Sequence, residues 1–235
     1  NLAKAGKWVK LNSINARDVI SSRFVYQIKY RQNTKTYEAF CRWTPRGFEE
    51  IQDVHYDPEH LFAGTPQLAI LRFICCKALY SNQPTFHFDF KRAFTSTPLE
   101  RTLFVKMPKG YVHYDSDGDE CVLALEKSAE GLKQSGANWL DMLTLFLNQY
   151  GFVQSITEPK LFTKKLENNK RCDILLYIDD IFGTTDDPKF IEKFCDNLNT
   201  KFDVTCKNLG PITHALGIDI EINNEKETAI LSQTK

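Results

Sequence analysis

Apolar and polar positions follow one another along this chain in blocks of two different periods. From Trp8 to Phe48 the apolar residues are mostly β-branched or aromatic, and the polar break RQNTK (31–35) separates two such runs. That is the pattern of a β-hairpin. Residues 66–80 repeat their apolar positions with a period near 3.6, which predicts a helix with Pro66 in its first turn. In PTFHFDFKRAF (84–94), Phe86, Phe88 and Phe90 alternate with His87 and Asp89. A strand with that spacing turns the phenylalanines to one face and His87 and Asp89 to the other. GANWLDMLTLFLNQYG (136–151) predicts a second helix that stops at Gly151. RCDILLYIDDIFGTT (171–185) predicts a strand, a tight turn and a strand. DPKFIEKFCDNLNTKF (187–202) predicts an amphipathic helix, with Asp187 as N-cap and Pro188 at N1. Residues 212–233 predict two strands around the polar turn Asn223 to Glu227. The mixture predicts an α+β fold with helices on one face of an antiparallel sheet.

Composition narrows the function classes. The chain has 235 residues, 42% of them hydrophobic and 26% charged, enough for one large or two small packed domains. The longest apolar stretch, LAILRFICCKAL (68–79), is interrupted by Arg72 and Lys77, so it reads as an amphipathic helix rather than a membrane span. The first residue is Asn, which reads as a fragment or a processed piece of a longer protein. Seven scattered cysteines without a C-x-x-C spacing argue against zinc and for reduced thiols in an intracellular setting, cytoplasmic or nuclear. Net charge is zero but unevenly spread. Residues 1–50 hold ten Lys/Arg against four Asp/Glu, and residues 171–235 hold seven against twelve. One end suits polyanions and the other gathers carboxylates.

The adjacent aspartates Asp179 and Asp180 interrupt an apolar run. Successive strand residues point to opposite faces, so both carboxylates reach the same space only at a turn. Two carboxylates held together repel, and a divalent cation removes the conflict. For a lone Asp-Asp pair a solvated hairpin tip is the better explanation, since such pairs are common in turns. Asp89, about ninety residues earlier on an aromatic strand, changes that balance, because two such strands side by side bring their carboxylates to one metal pair. No P-loop or kinase motif is present, which argues against another phosphotransferase.

YIDD between apolar residues resembles the Y-x-D-D signature of reverse transcriptases. The wider chain resembles the reverse transcriptase domain of Ty1/copia-type LTR retrotransposons. The matching segments are GKWVKL near the start, RGF (46–48), DFKRAF (89–94), LERTLFVKMPKGY (99–111), EKSAEGLKQSGANW (126–139), LLYIDDIF (175–182), LGPITHALGIDI (209–220) and LSQ (231–233). The resemblance implies a polymerase right hand of fingers and palm, with an antiparallel palm sheet backed by helices and the thumb absent or partial. It implies fingers over 1–84, the first catalytic palm strand over 85–96, more fingers over 97–134, and palm with a primer-grip-like region over 135–235. It places Asp89, Asp179 and Asp180 on the catalytic, metal-binding aspartates, with two Mg²⁺ ions or Mn²⁺ in their stead. Arg42 falls on a triphosphate-gripping arginine, Phe94 on an aromatic steric gate, and Gln134 on a glutamine near the nucleotide sugar and base. Leu216 and Gly217 match the primer grip best. The implied activity is RNA- and DNA-dependent DNA synthesis, with template, primer and dNTPs as partners, no membrane, and RNase H and integrase modules in the parent polyprotein.

The chain also departs from the family pattern. Phe40 stands where a lysine is usual, Glu130 replaces a tyrosine, Gly136 a proline and Ala137 an arginine. Ala215 stands where a large apolar residue should pack. An acid beside a nucleic-acid path is unfavourable next to phosphates. An inactive domain repurposed as a structural or binding subunit is therefore the alternative reading.

Overall fold

The computed structural model describes residues 5–31, 34–61, 63–202 and 204–233. In chain order, β1 (Gly6–Lys10), β2 (Val19–Arg31) and β3 (Thr36–Pro45) lead to α1 (Leu68–Tyr80) and β4 (Thr85–Lys91). β5 (Pro98–Lys106), β6 (His113–Tyr114) and β7 (Glu120–Lys127) precede α2 (Ser135–Gln149). β8 (Val153–Gln154), β9 (Leu161–Lys165), β10 (Arg171–Tyr177) and β11 (Asp180–Thr185) precede α3 (Pro188–Lys201). β12 (Thr205–Asn208), β13 (His214–Ala215), β14 (Ile218–Asn223) and β15 (Thr228–Ser232) follow. The fold is α+β, as the mixed periodicity predicts. No described helix is long and apolar enough to cross a membrane.

The chain divides into two units, 1–62 with 94–139 and 63–93 with 140–235. In the first, β1, β7, β5, β2 and β3 form a sheet in that order, and β6 pairs with β7. β2 joins β5 in parallel through Val19 to Ser21 only, then runs on with β3 as a two-stranded ribbon. The core of this unit gathers Ile20, Leu103, Val105, Leu123, Leu125, Ala129 and Leu132.

The second unit carries the antiparallel sheet β12-β4-β11-β10-β9-β8. Its two faces bury different helices, because strand residues alternate. On one face, Leu71, Ile74 and Cys75 of α1 pack with Leu175 and Phe182, and with Ile212, Ala215 and Ile220. On the other, Phe88 meets Phe194 of α3 at 5.8 Å between ring centres, and Phe194 touches Tyr150, Phe152 and Phe190 at 5.3–5.5 Å. Helices thus cover both faces rather than the single face expected. The reason is that β10 and β11 are apolar on both sides, burying Ile174, Leu176 and Ile181 as well as Leu175 and Phe182.

Two helix starts differ from expectation. α1 begins at Leu68, because Gln67 is still extended (φ −68°, ψ 137°) and its amide donates to Glu158 Oε2 at 3.3 Å. Asp187 occupies the N-cap position of α3, but its side chain makes no capping bond. Its carboxylate instead faces Lys170 at 3.6 Å.

One charge is fully buried in this sheet. Asp173 of β10 accepts from Thr163 Oγ1 at 2.6 Å and Arg171 Nε at 2.8 Å, and pairs with Lys77 of α1. Burial alone would raise its pKa, but the bonds from Lys77, Thr163 and Arg171 outweigh it and hold the carboxyl below the usual range. Removing one partner of a buried pair strands the other. Asp173→Ala should therefore cost about 3–5 kcal/mol in chemical denaturation. Because the folded pKa is depressed, this contribution is present above the unfolded value near pH 4 and is lost as pH falls through the folded value. Wild-type stability should fall more steeply in that acid window than the stability of Asp173→Ala.

Candidate active site

The phenylalanine pattern of β4 fixes where Asp89 points. Phe86, Phe88 and Phe90 are 1%, 0% and 3% exposed, so Asp89 and His87 face the opposite side. β11 pairs with β4 so that Asp180 lies directly across from Asp89, Phe182 from His87 and Gly183 from Phe86. Residues directly opposite share a face, so Asp89 and Asp180 are neighbours on one surface.

Asp179 reaches the same end of the sheet by a different route. Tyr177 of β10 pairs with Asp180 of β11, leaving Ile178 and Asp179 as a two-residue turn. Ile178 sits at φ +49°, an outlier for a β-branched residue. The turn is clamped back on β4, where the Phe90 amide donates to the Asp179 carbonyl at 2.9 Å. Asp179 Oδ1 is buried. All three predicted aspartates thus come together at one end of the sheet, two on adjacent strands and one on the tip.

Their carboxylates are not drawn into a closed cage. Asp180 Oδ1 lies 2.7 Å from His87 Nε2, and the His87 ring rests on Phe182 at 4.5 Å. His87 is a site residue to which sequence reasoning gave a face but no role; its i, i+2 spacing from Asp89 was the available signal. Lys207 of β12 is another such residue. It is exposed and sits directly across β4 from Asp89.

Among the described residues, the one group of three such ligand side chains within 4.8 Å of one another is Asp115, Asp117 and Asp119. Lys10 Nζ fills that cluster at 3.1, 2.9 and 2.8 Å from the three carboxylates. Their bonds raise the Lys10 pKa, so this is an ion-paired hairpin loop with its cation already supplied.

The remaining predicted residues lie in the first unit, except for the primer-grip pair. Arg42 of β3 reaches Glu130 Oε2 at 3.0 Å, both side chains being about half exposed. Glu130 is held there by its neighbour Gly131, whose φ of +101° and close approach to Pro45 leave no room for a Cβ. Phe40 lies under Lys29 Nζ, 5.4 Å from the ring centre. Phe94 is half-buried in a single 3₁₀ turn, Ala93–Ser96. Gln134 is 7% exposed and lines a cavity of about 20 Å³ with His55, Tyr56 and Asn138. Lys133 beside it is exposed yet engaged, donating to the Glu50 carbonyl at 3.2 Å and Tyr56 Oη at 3.1 Å. In the second unit, Leu216 and Gly217, at φ +53° and +75°, form the two-residue turn between β13 and β14. Positive φ at both positions is the geometry a tight hairpin requires.

Residues 7–234 match the family model for reverse transcriptase (RNA-dependent DNA polymerase). Over its whole length the chain is 25% identical to the retrovirus-related Pol polyprotein from transposon TNT 1-94 of Nicotiana tabacum, covering 17% of that protein. It is 26% identical over 86% of its length to the Pol polyprotein from transposon RE1 of Arabidopsis thaliana, covering 13% of it. It is 25% identical over 88% of its length to the transposon Ty1-H Gag-Pol polyprotein of Saccharomyces cerevisiae, covering 11%. The chain therefore spans less than a fifth of the length of these relatives.

A positive φ at a β-branched residue costs about 1–3 kcal/mol, and glycine removes that cost. Ile178→Gly should leave thermal stability unchanged or raised, as read by calorimetry. A clear loss would show that side-chain packing of Ile178, not turn strain, dominates at the tip.

Proposed function

We propose, for a chain that belongs to the reverse transcriptase (RNA-dependent DNA polymerase) family, that Asp89, Asp179 and Asp180 are the catalytic centre of template-directed DNA synthesis. The observation that carries this reading is the register setting Asp180 across from Asp89, with Asp179 on the adjoining tip. The donor set is all carboxylate oxygen, which fits a hard divalent cation such as Mg²⁺, with Mn²⁺ able to replace it. Asp89 and Asp179 would hold the two ions and Asp180 would complete the acidic site. When bound, such ions lower the pKa of a primer 3′-hydroxyl and neutralise charge on the departing pyrophosphate.

The chain's own side chains do the rest. His87 holds the Asp180 carboxylate in place by its 2.7 Å contact. Lys207, opposite Asp89, adds a positive charge beside the substrate phosphates. Arg42 grips the triphosphate of the incoming dNTP, for which a guanidinium fork is suited. Phe94 stands under the sugar and excludes a 2′-hydroxyl, Gln134 contacts the sugar and base, and Leu216 with Gly217 contacts the primer strand. The first unit then acts as fingers and the second as palm, with RNA or DNA as template. RNase H and integrase modules belong to the longer polyprotein on this reading. The retained aspartates speak against the alternative of an inactive structural subunit.

The test is dNTP incorporation on a primed RNA template with Mg²⁺. The wild type should extend the primer, and Asp179→Asn should fall to background while keeping its fold by circular dichroism. A folded wild type that extends nothing, even within a longer stretch of its polyprotein, would overturn the assignment. The Arg42–Glu130 pair gives a second expectation. An exposed ion pair is worth up to about 1 kcal/mol, so Glu130→Gln should lower the KM for dNTP by roughly two- to fivefold with kcat little changed. Arg42→Ala should raise KM and abolish the effect of Glu130→Gln.

A further inference from the structure

Two thiols outside the aspartate centre lie in contact. Cys195 Sγ of α3 is 3.7 Å from Cys206 Sγ of β12, and both residues are buried. Their approach is set by a third side chain. Asn199, one turn along α3 from Cys195, accepts from the Cys206 amide at 2.7 Å and donates to the Cys206 carbonyl at 3.0 Å. This amide clamp docks the backbone of β12 on the helix and leaves the Cys206 side chain facing Cys195. β12 is the edge strand of its sheet, four residues long, and Cys206 lies across from Phe90, next to Asp89.

We propose that Cys195 and Cys206 are a site of reversible oxidative modification, closing to an intramolecular disulfide that ties α3 to the edge strand beside Asp89. The oxidant is a low-molecular-weight disulfide such as glutathione disulfide. One cysteine thiolate attacks a sulfur of the oxidant, the oxidant's S–S bond breaks, and one glutathione leaves as thiolate and takes up a proton. The second cysteine thiolate attacks the protein sulfur of the mixed disulfide and expels the second glutathione. Two cysteine thiols are oxidised, one glutathione disulfide is reduced, and two protons pass from the cysteines to the glutathiones. Burial pushes both thiols above the ordinary range, so the closed structure reacts slowly. Reaction waits on opening of the short edge strand, and closing of the strand then brings the second thiol to the first.

Cys41 and Cys76 are exposed and would react with the oxidant themselves, so both are removed. The experiment uses a Cys41→Ser/Cys76→Ser variant incubated with glutathione disulfide, then alkylated under denaturing conditions. The expected product carries two fewer alkyl groups than the reduced chain treated in the same way, and is about 2 Da lighter beyond that loss. Trypsin should release residues 194–201 joined to residues 202–207 through Cys195 and Cys206. The oxidised form should melt roughly 5 °C higher, and dithiothreitol should reverse both changes. Adding Cys195→Ser to the same background should abolish the mass loss and the melting shift. The proposal is overturned if both cysteines are recovered alkylated, if they carry glutathione without joining, or if either joins a different cysteine.

Discussion

One register organises this site: the pairing of β4 with β11 that sets Asp89 across from Asp180. Like charges on adjacent strands repel, so something else must hold the strands together. The phenylalanines do. Phe86, Phe88 and Phe90 are buried on the reverse face, and a one-residue slip of β4 would turn all three out of it and carry Asp89 into that core. Gly183 tightens the constraint, since a Cβ there would lie 2.3 Å from the Phe86 ring. The aromatic face is thus the cause and the acidic face the consequence. Asp173 adds a second fastening from the other end of β10, tying that strand to α1 through Lys77.

Much of this was legible in the sequence, because strand alternation is a local property. Phe86 to Phe90 showed which way Asp89 points, and YIDD between apolar runs showed a hairpin tip. The turn that lets Asp179 join Asp180 was required by geometry before it was seen. What escaped was non-local or weakly patterned. Residues 98–127 and 153–165 form strands without a clean period-two signal, since β7 buries five consecutive residues from Cys121 to Leu125. The His87 contact depends on which strand lies beside β4, which spacing along one chain does not reveal. Lys207 needed the pairing of β12 for the same reason. The shift of α1 to Leu68 depends on Glu158, ninety-one residues away from the amide it caps.

The two acidic clusters show why carboxylate density alone does not define a metal site. Asp115, Asp117 and Asp119 are closer together than the aspartates of the YIDD tip, yet they surround an ammonium ion. Their loop satisfies itself further, with the Asp117 and Asp119 amides both donating to Asp115 Oδ1 at 2.9 Å. At the tip the charges are set by strands and a turn whose backbone bonds are made elsewhere. The neighbour of Asp180 is the His87 imidazole rather than a lysine. A cluster already filled by a lysine ammonium group has less to gain from a divalent cation, however close its oxygens lie.

The departures from the family pattern look less damaging in three dimensions than along the sequence. Phe40 removes a lysine from β3, but Lys29 of the paired strand lays its ammonium over the Phe40 ring, so a positive charge still occupies that patch. Ala215 is 2% exposed rather than beside an open gap, with Leu216, Ile218 and Ile222 packed against the same cluster. Local repacking of this kind limits the cost of a smaller core residue. Glu130 is the exception, because its charge is new and is spent on Arg42. A pair this exposed is weak, and a triphosphate carries several times the charge of one carboxylate, so in the role proposed for Arg42 a dNTP would displace Glu130. The substitution therefore tunes how strongly Arg42 is held in the free protein and leaves the aspartate register untouched.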